Sequence, residues 1–565
     1  MPNLHTPSPA FSQALLRPAW VAALAAAIGL APLAACAQKA DDLAAQALGR
    51  PAMTASAAAS AETAAAESTV VPRRWLDARS QKPLAVAQQA LERLAAAETE
   101  GLLPQDYDVA ELQAALAAAA SQRLSAEEGE QLEQRINQAV LRYLNDLHHG
   151  RINPKTIGEN YSEDARPPFD AEALLAQYAP AGDLAPVWQA ATPQVPMYAG
   201  LRAELQRYLQ LRDDPAWAEP LPLPPKGKSA ALNPDYQDWP GLQTLAQRLV
   251  QLGDLPPEAV ADAAALEASL PIGLQTFQRR HGLKATGRID RATVAQLNVP
   301  PAQRAGQIAQ TMERLRWAPL HQAGRMLVVN VPEYRLRAYT LGENAQVLHV
   351  LAMDVIVGKA NHQRTPLFNK DMERVEFSPY WNVPHSITSK EMVPRLHRDP
   401  DYVRRNGYEI IGPGGARTDV NEETLAALAS GRMRLRQRPG RGNALGDVKF
   451  IFPNKDNIYL HHTSAPGLFK RDYRALSHGC VRVEDPVALA QFVLQGDPAW
   501  PEQRIRHVMD KRISHNVAVP EPLPVILTYL TTVMDEDGRL KFVPDVYGQD
   551  KRLKNALAKR HAVRQ

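Results

Sequence analysis

Apolar positions along this chain follow two different periods. Leu84, Ala87, Leu91 and Leu94 step by 3, 4 and 3 ahead of Gly101, and Ile136, Val140, Leu144 and Leu147 step by 4, 4 and 3 ahead of Gly150. That is one face of a helix each time, with a glycine as the stop. Residues from about 75 to 215 therefore read as helical, and stripes that need partners predict a bundle acting as a scaffold. The helical period returns at Leu242, Leu245, Leu249 and Leu252. Phe277 then sits on a helix predicted to stop at Gly282, Gly287 allows a turn, and Asp290 can cap a last helix carrying Val294 and Leu297. Beyond Arg325 the period shortens to two. Met326–Val331, Leu336–Tyr339, Val347–Val357, Val375–Phe377, Val448–Phe452, Ile458–Leu460 and Val525–Val533 read as strands, so the C-terminal half is β-rich, a mixed sheet or a sandwich.

Between these blocks lie segments of other character. Trp217–Pro240 is proline-rich and marks a boundary. Ala40–Val71 is rich in Ala, Ser, Thr and Glu and reads as a flexible tether. Ahead of it, Trp20–Ala35 is nearly all apolar behind Arg17. That is signal-peptide length, and short of the ~20 apolar residues of a membrane span. Leu33-Ala34-Ala35-Cys36 resembles a bacterial lipobox, in which Cys36 is lipidated. Ala35-Cys36-Ala37 also fits an A-x-A cleavage site, and an uncleaved anchor is the third outcome. Each of the three exports the protein.

Length and composition narrow the class. At ~150 residues per domain, 565 residues predict three or four domains. Hydrophobic residues at 45% and charged residues at 22% argue for a globular chain. A net charge of +3 offers no global basic field for nucleic acid. One local excess stands out. The stretch 386–443 carries eleven basic and seven acidic residues, a net charge of +4, and reads as an insertion between two strands with a helix from about Asn421 to Gly431. The chain's two cysteines, Cys36 and Cys480, exclude a disulfide framework and a cysteine-based zinc cluster.

The chemistry concentrates around Cys480. Tyr459-Leu460-His461-His462-Thr463 is followed by Ser477-His478-Gly479-Cys480-Val481-Arg482. A strand ending at Leu460 would deliver His461 at its tip, and the loop behind it can fold back to bring Cys480 alongside. A neighbouring imidazole lowers a thiol's pKa from about 8.5 and makes it nucleophilic. Gly479 lets backbone approach closely, and the N–H groups of Gly479 and Cys480 could face a developing oxyanion. Three histidines compete as general base. His461 is favoured; strand alternation turns His462 to the other face, and His478 reads as a structural or oxyanion-side donor.

His461, fifteen intervening residues and Ser-His-Gly-Cys together resemble the active-site signature of the L,D-transpeptidases with a YkuD-type domain. Tyr380-Trp381-Asn382-Val383-Pro384, and Arg436-Gln437 through Asn443-Ala444-Leu445-Gly446, agree with it. The stretch Phe277 to Asn298 resembles the three-helix peptidoglycan-binding module of cell-wall enzymes. The layout is similar to the large YcbB-type enzymes of Gram-negative bacteria, whose subgroup shares Arg482 where many relatives have Asn.

The resemblance implies a multidomain α+β protein. Residues 1–36 would be the signal peptide, 37–74 a linker, 75–235 a helical scaffold and 236–300 the peptidoglycan-binding-like module. The catalytic domain would span 320–548, with 386–443 as a mobile cap, before a basic C-terminal tail over 549–565. It implies a periplasmic enzyme, possible membrane anchoring resting on Cys36, and a cysteine thioester formed on a tetrapeptide donor stem of peptidoglycan. A second stem's diaminopimelate amine would resolve it into a 3→3 cross-link, with no metal or organic cofactor. Cys480 and His461 would be catalytic, with Ser477, His478, Gly479 and Arg482 supporting. Trp381, Asn382, Gln437 and Asn443 would bind substrate, Trp381 alternatively being a core residue. The same Cys/His site could instead serve a carboxypeptidase or endopeptidase that lets water resolve the thioester.

Overall fold

A computed structural model describes residues 73–162, 168–224, 231–232, 238–320, 323–343 and 346–564. The expected signal segment 1–36, Cys36 and all but the last two residues of the linker 37–74 lie outside these. No helix among the described residues is long and apolar enough to cross a membrane.

The N-terminal region is helical as its periodicity predicts. Leu84, Ala87, Leu91 and Leu94 fall on or beside the helix Ala85–Ala95, and Gly101 ends the following turn at φ +68°. Ile136 to Leu147 line the helix Ala126–His149, opened by a reciprocal Ser125–Glu128 capping box. Gly150 stops it at φ +84°, where a Cβ would meet the Trp317 ring nitrogen at 2.2 Å. One element departs from the helical expectation. Glu159–Asn160 is a short strand running parallel to Leu367–Phe368 of the C-terminal sheet.

The three-helix module is Leu242–Gln251, Ala263–Arg280 and Arg291–Leu297. Asp290 caps the last by accepting from the Thr293 N–H at 2.7 Å. The proline-rich stretch before the module is more than a boundary. Leu221 exchanges two hydrogen bonds with the Asn298 side chain, and the buried Arg248 donates to the carbonyls of Ala216 and Glu219.

A helix between module and sheet, Pro301–Trp317, is absent from the sequence expectations although Ala305, Ile308, Met312 and Leu315 step by 3, 4 and 3 along it. Beside that apolar stripe it buries charged residues. Arg314 is fully buried between Glu159 at 3.1 Å and Asp550 at 2.5 Å, and Arg316 between Glu313 at 3.0 Å and the Tyr198 hydroxyl at 2.8 Å. Removing one partner of such a buried pair costs about 3–5 kcal/mol, so this helix fastens scaffold, sheet and C-terminus together. The segment 549–565, expected as a basic tail, is instead the helix Gln549–Arg564. It buries Leu553 and pairs Arg560 with Asp146 and His561 with Asp106.

The C-terminal sheet is mixed and closes on itself. In hydrogen-bonded order it runs Leu367–Phe377, Val448–Ile451, Leu460–His461, Val481–Val483, Val347–Gly358, Arg335–Leu341, Gly324–Asn330 and His515–Thr528. The last strand then pairs with the first over nine positions with a register shift between Ala518 and Leu523. Closure removes both free edges. The predicted strand Val525–Val533 is really two, because the chain leaves the sheet after Thr528 and re-pairs as Thr532–Met534.

The insertion is a body of its own. Gly415–Arg417, Tyr408–Gly412, Arg434–Gln437 and Trp381–Asn382 form a four-stranded sheet over a core of Val383, Leu396, Val403, Ile410, Leu428 and Leu435. The helix Glu422–Ala429 falls within the expected stretch, and Asn421 caps it. The unit begins at Trp381, before the expected 386, because Trp381–Asn382 is its edge strand.

Candidate active site

Strand order carries the candidate residues to one place. Leu460–His461 runs parallel to Val481–Val483, with Leu460 opposite Val481 and His461 opposite Arg482, and the Val481 N–H donates to the Tyr459 carbonyl at 3.1 Å. Cys480 therefore lies beside Tyr459, two steps before Arg482 lies beside His461. Cys480 and His461 sit on neighbouring strands, diagonally offset by roughly 8 Å between backbones given the ordinary strand spacing and rise.

The Ser477-His478-Gly479-Cys480 loop is fixed by its own side chains. The Ser477 hydroxyl donates to the Cys480 carbonyl at 2.5 Å and accepts from the Gly479 N–H at 3.1 Å. Gly479 has φ +121°, which an L side chain rarely adopts, and its carbonyl accepts from the Thr365 hydroxyl at 2.7 Å. The oxyanion expectation changes accordingly. The Gly479 amide is already spent on Ser477, which leaves the Cys480 N–H as the loop's donor.

His461 is 4% exposed, and its Nδ1 lies 2.5 Å from the His462 carbonyl oxygen. A carbonyl only accepts, so the neutral ring carries its proton on Nδ1 and its lone pair on Nε2. Burial, then the Arg482 charge, push its pKa down to about 3. The thiol does not hydrogen-bond this ring. Cys480 Sγ faces the Asn457 carbonyl at 3.7 Å and the Tyr459 side chain. Burial pushes the thiol's pKa up, while Tyr459 hydrogen bonds and the charges of Lys449 and Arg482 pull it back. The expected contact between thiol and imidazole is thus not made in this resting geometry.

A model of the L,D-transpeptidase catalytic domain (YkuD) matches residues 324–500. The chain carries an L,D-transpeptidase catalytic domain. A model named Scaffold domain matches residues 74–205, and a peptidoglycan binding domain model matches 240–297. The chain is similar to a Haemophilus influenzae protein described as "Putative L,D-transpeptidase", at 34% identity over 248 residues. That match covers 44% of this chain and 48% of the relative, so the chain spans about half the length of the curated relative it matches.

Within the catalytic domain, the other expected residues divide. Trp381 is half-buried, and its side chain lies close enough to Tyr459 to pull that phenol's pKa down, linking the insertion to the thiol's neighbour. His478 Nε2 lies 2.7 Å from Glu391 of the insertion, so it bridges loop and insertion. Asn382 is exposed and pairs in register with Arg436 at the edge of the insertion's sheet. Gln437 and Asn443 are 3% and 1% exposed with their amides fully engaged. Gln437 binds the backbone of Asn406, Gly442 and Ala444, while Asn443 binds that of Pro379, Arg438 and Leu445. Both hold loops and have no free group for a substrate, which corrects their expected role.

Three residues escaped the sequence reading. Tyr459 stood in the quoted motif but its hydroxyl was given no role. Lys449 lies opposite His461 in the sheet, with Nζ 4.2 Å from the Tyr459 ring centre. Burial lowers the pKa of both Lys449 and Arg482, while Glu376, opposite Lys449 on the next strand, favours the Lys449 charge. Thr365 is buried and ties the Gly479 carbonyl to the Gly358 N–H and to Tyr547. No motif marks it, because its partners are distant in sequence.

Proposed function

We propose that this protein is a peptidoglycan L,D-transpeptidase that forms 3→3 cross-links through a thioester on Cys480. One observation carries the reading: a neutral, buried His461 and the strained Gly479-Cys480 turn occupy the same face of two adjacent strands. A thiol that turns from Asn457 toward His461 Nε2 gives up its proton there as sulfur attacks the carbonyl between diaminopimelate and the terminal D-Ala. The Cys480 N–H faces the oxyanion, with Lys449 and Arg482 as the nearest positive charges. The C–N bond breaks, the imidazolium proton leaves on D-Ala, and a thioester remains. The side-chain amine of a second stem then attacks, Nε2 takes its proton, and sulfur departs.

Peptidoglycan lies outside the cytoplasm, which agrees with the apolar segment Trp20–Ala35 and with a periplasmic setting, lipid-anchored if Cys36 is acylated. The hydrolytic reading also has support. Cys480 is partly exposed, so water can reach a thioester there. Incubation with a disaccharide-tetrapeptide, followed by mass spectrometry, separates the two. A cross-linked dimer establishes the transferase, tripeptide alone the carboxypeptidase, and unchanged substrate sinks both.

A further inference from the structure

The basic helix Gln549–Arg564 borders a cleft of about 890 Å³ that has no part in the chemistry above. Its walls are residues 151–153 and 156–158 on the scaffold side and Arg552, Asn555, Ala556, Lys559 and Arg560 on the helix side. Those helix positions are spaced 3, 1, 3 and 1, which is a single stripe along one face. Four lining residues are cationic (Arg151, Arg552, Lys559 and Arg560) and none is acidic.

The cations are only partly balanced from behind. Arg560 gives Nη2 to Asp146 at 2.6 and 2.8 Å, while its Nη1 has no hydrogen-bond partner. Arg151 gives its backbone N–H and Nε to Glu313, a carboxylate that Arg316 also uses. Arg552 and Lys559 are exposed and form no ion pair among the described residues. Among the described residues Arg552 and Lys559 are left without a counter-charge beside the partly balanced Arg151 and Arg560, so the hollow favours an anion. From Arg552 to Arg560 the helix rises about 12 Å. Charges strung over that length suit several separated carboxylates on an extended strand better than one compact phosphate. Ile152 and Ile157 add apolar wall.

We infer that this cleft binds an extended oligo-carboxylate chain, and that in this protein the chain is a peptidoglycan stem held apart from the one at Cys480. The identity of the chain rests on the proposed function; the anionic chemistry does not.

The test is a footprint on the full-length Cys480→Ala protein. Acetylation of Lys559 is followed by mass spectrometry with and without disaccharide-tetrapeptide, and in parallel with inorganic phosphate. The muropeptide is expected to slow Lys559 acetylation at least fivefold at low salt. That protection should vanish in Arg552→Glu and weaken in the milder Arg552→Gln. No protection overturns the proposal, and equal protection by phosphate overturns the carboxylate assignment. Acylation of the wild-type protein by the same donor is measured alongside. Protection without acylation sinks the catalytic reading and keeps the cleft; acylation without protection does the reverse.

Discussion

Cys480 is turned toward Asn457, with Sγ 3.7 Å from that residue's carbonyl oxygen, and makes no hydrogen bond to His461. Such a thiol rests neutral. Its pKa is pushed up by burial, so the thiolate fraction at neutral pH is small. Iodoacetamide alkylation of the free protein should therefore rise with pH to a midpoint above the ordinary cysteine value of about 8.5. Lys449→Ala and Arg482→Ala should each move the midpoint further up, because each removes a positive charge that favours thiolate. A midpoint at or below pH 7 would mean that a thiolate–imidazolium pair is already formed.

His461 should matter as a base without titrating in the working range. With its pKa near 3 the ring stays neutral at any pH above about 4. The pH profile of acylation should lack an inflection near the free imidazole value of about 6.5, and His461→Ala should slow acylation by roughly 10²- to 10⁴-fold. His462 pairs with Asp447 at 3.1 Å, away from the thiol. If His462→Ala abolished acylation while His461→Ala did not, the roles would have to be exchanged.

Tyr459 tests how the thiolate is held. Burial first, and the adjacent thiolate charge next, keep the phenol protonated, so it donates. Tyr459→Phe removes one hydrogen bond to a developing anion, worth about 1.5–3 kcal/mol. Acylation should fall roughly 10- to 100-fold, and the alkylation midpoint should rise, with the melting temperature little changed. An unaltered midpoint would remove Tyr459 from the thiol's electrostatics.

How far this site was legible follows from what each residue depends on. Cys480, His461 and Gly479 form a local motif, and local spacing shows such a motif directly. Helix stripes and caps, such as Asn421 and Asp290, are equally local. Closure of the sheet, the buried ion pairs of Pro301–Trp317 and the docking of Gln549–Arg564 depend on partners far away in sequence. Gln437 and Asn443 misled for a related reason. A motif marks that a residue type is needed, and here an amide is needed to clamp backbone.

The His478–Glu391 contact at 2.7 Å joins the Cys480 loop to the insertion. Both side chains are part-exposed, so the pair adds little to global stability, about 1 kcal/mol or less. Glu391→Gln should leave the melting temperature within a degree or two and yet speed hydrogen exchange across 386–398. Unchanged exchange there would show that the Trp381–Tyr459 contact alone seats the insertion.

Thr365 offers the sharpest separation of fold from function. Its hydroxyl donates to the Gly479 carbonyl at 2.7 Å and accepts from the Gly358 N–H at 2.9 Å, in a buried setting. Thr365→Val keeps the shape and strands both backbone groups, at about 1–3 kcal/mol for each unsatisfied group. Released from that tether, Gly479 need not hold φ +121°, and the Cys480 N–H loses its aim. Thr365→Ser restores the hydroxyl with only a methyl group missing. We expect Thr365→Val to lose acylation by more than its loss of stability explains, and Thr365→Ser to recover most of it. Measured acylation rates and urea midpoints for the two variants check this, and equal rates in both would show that Thr365 contributes packing alone.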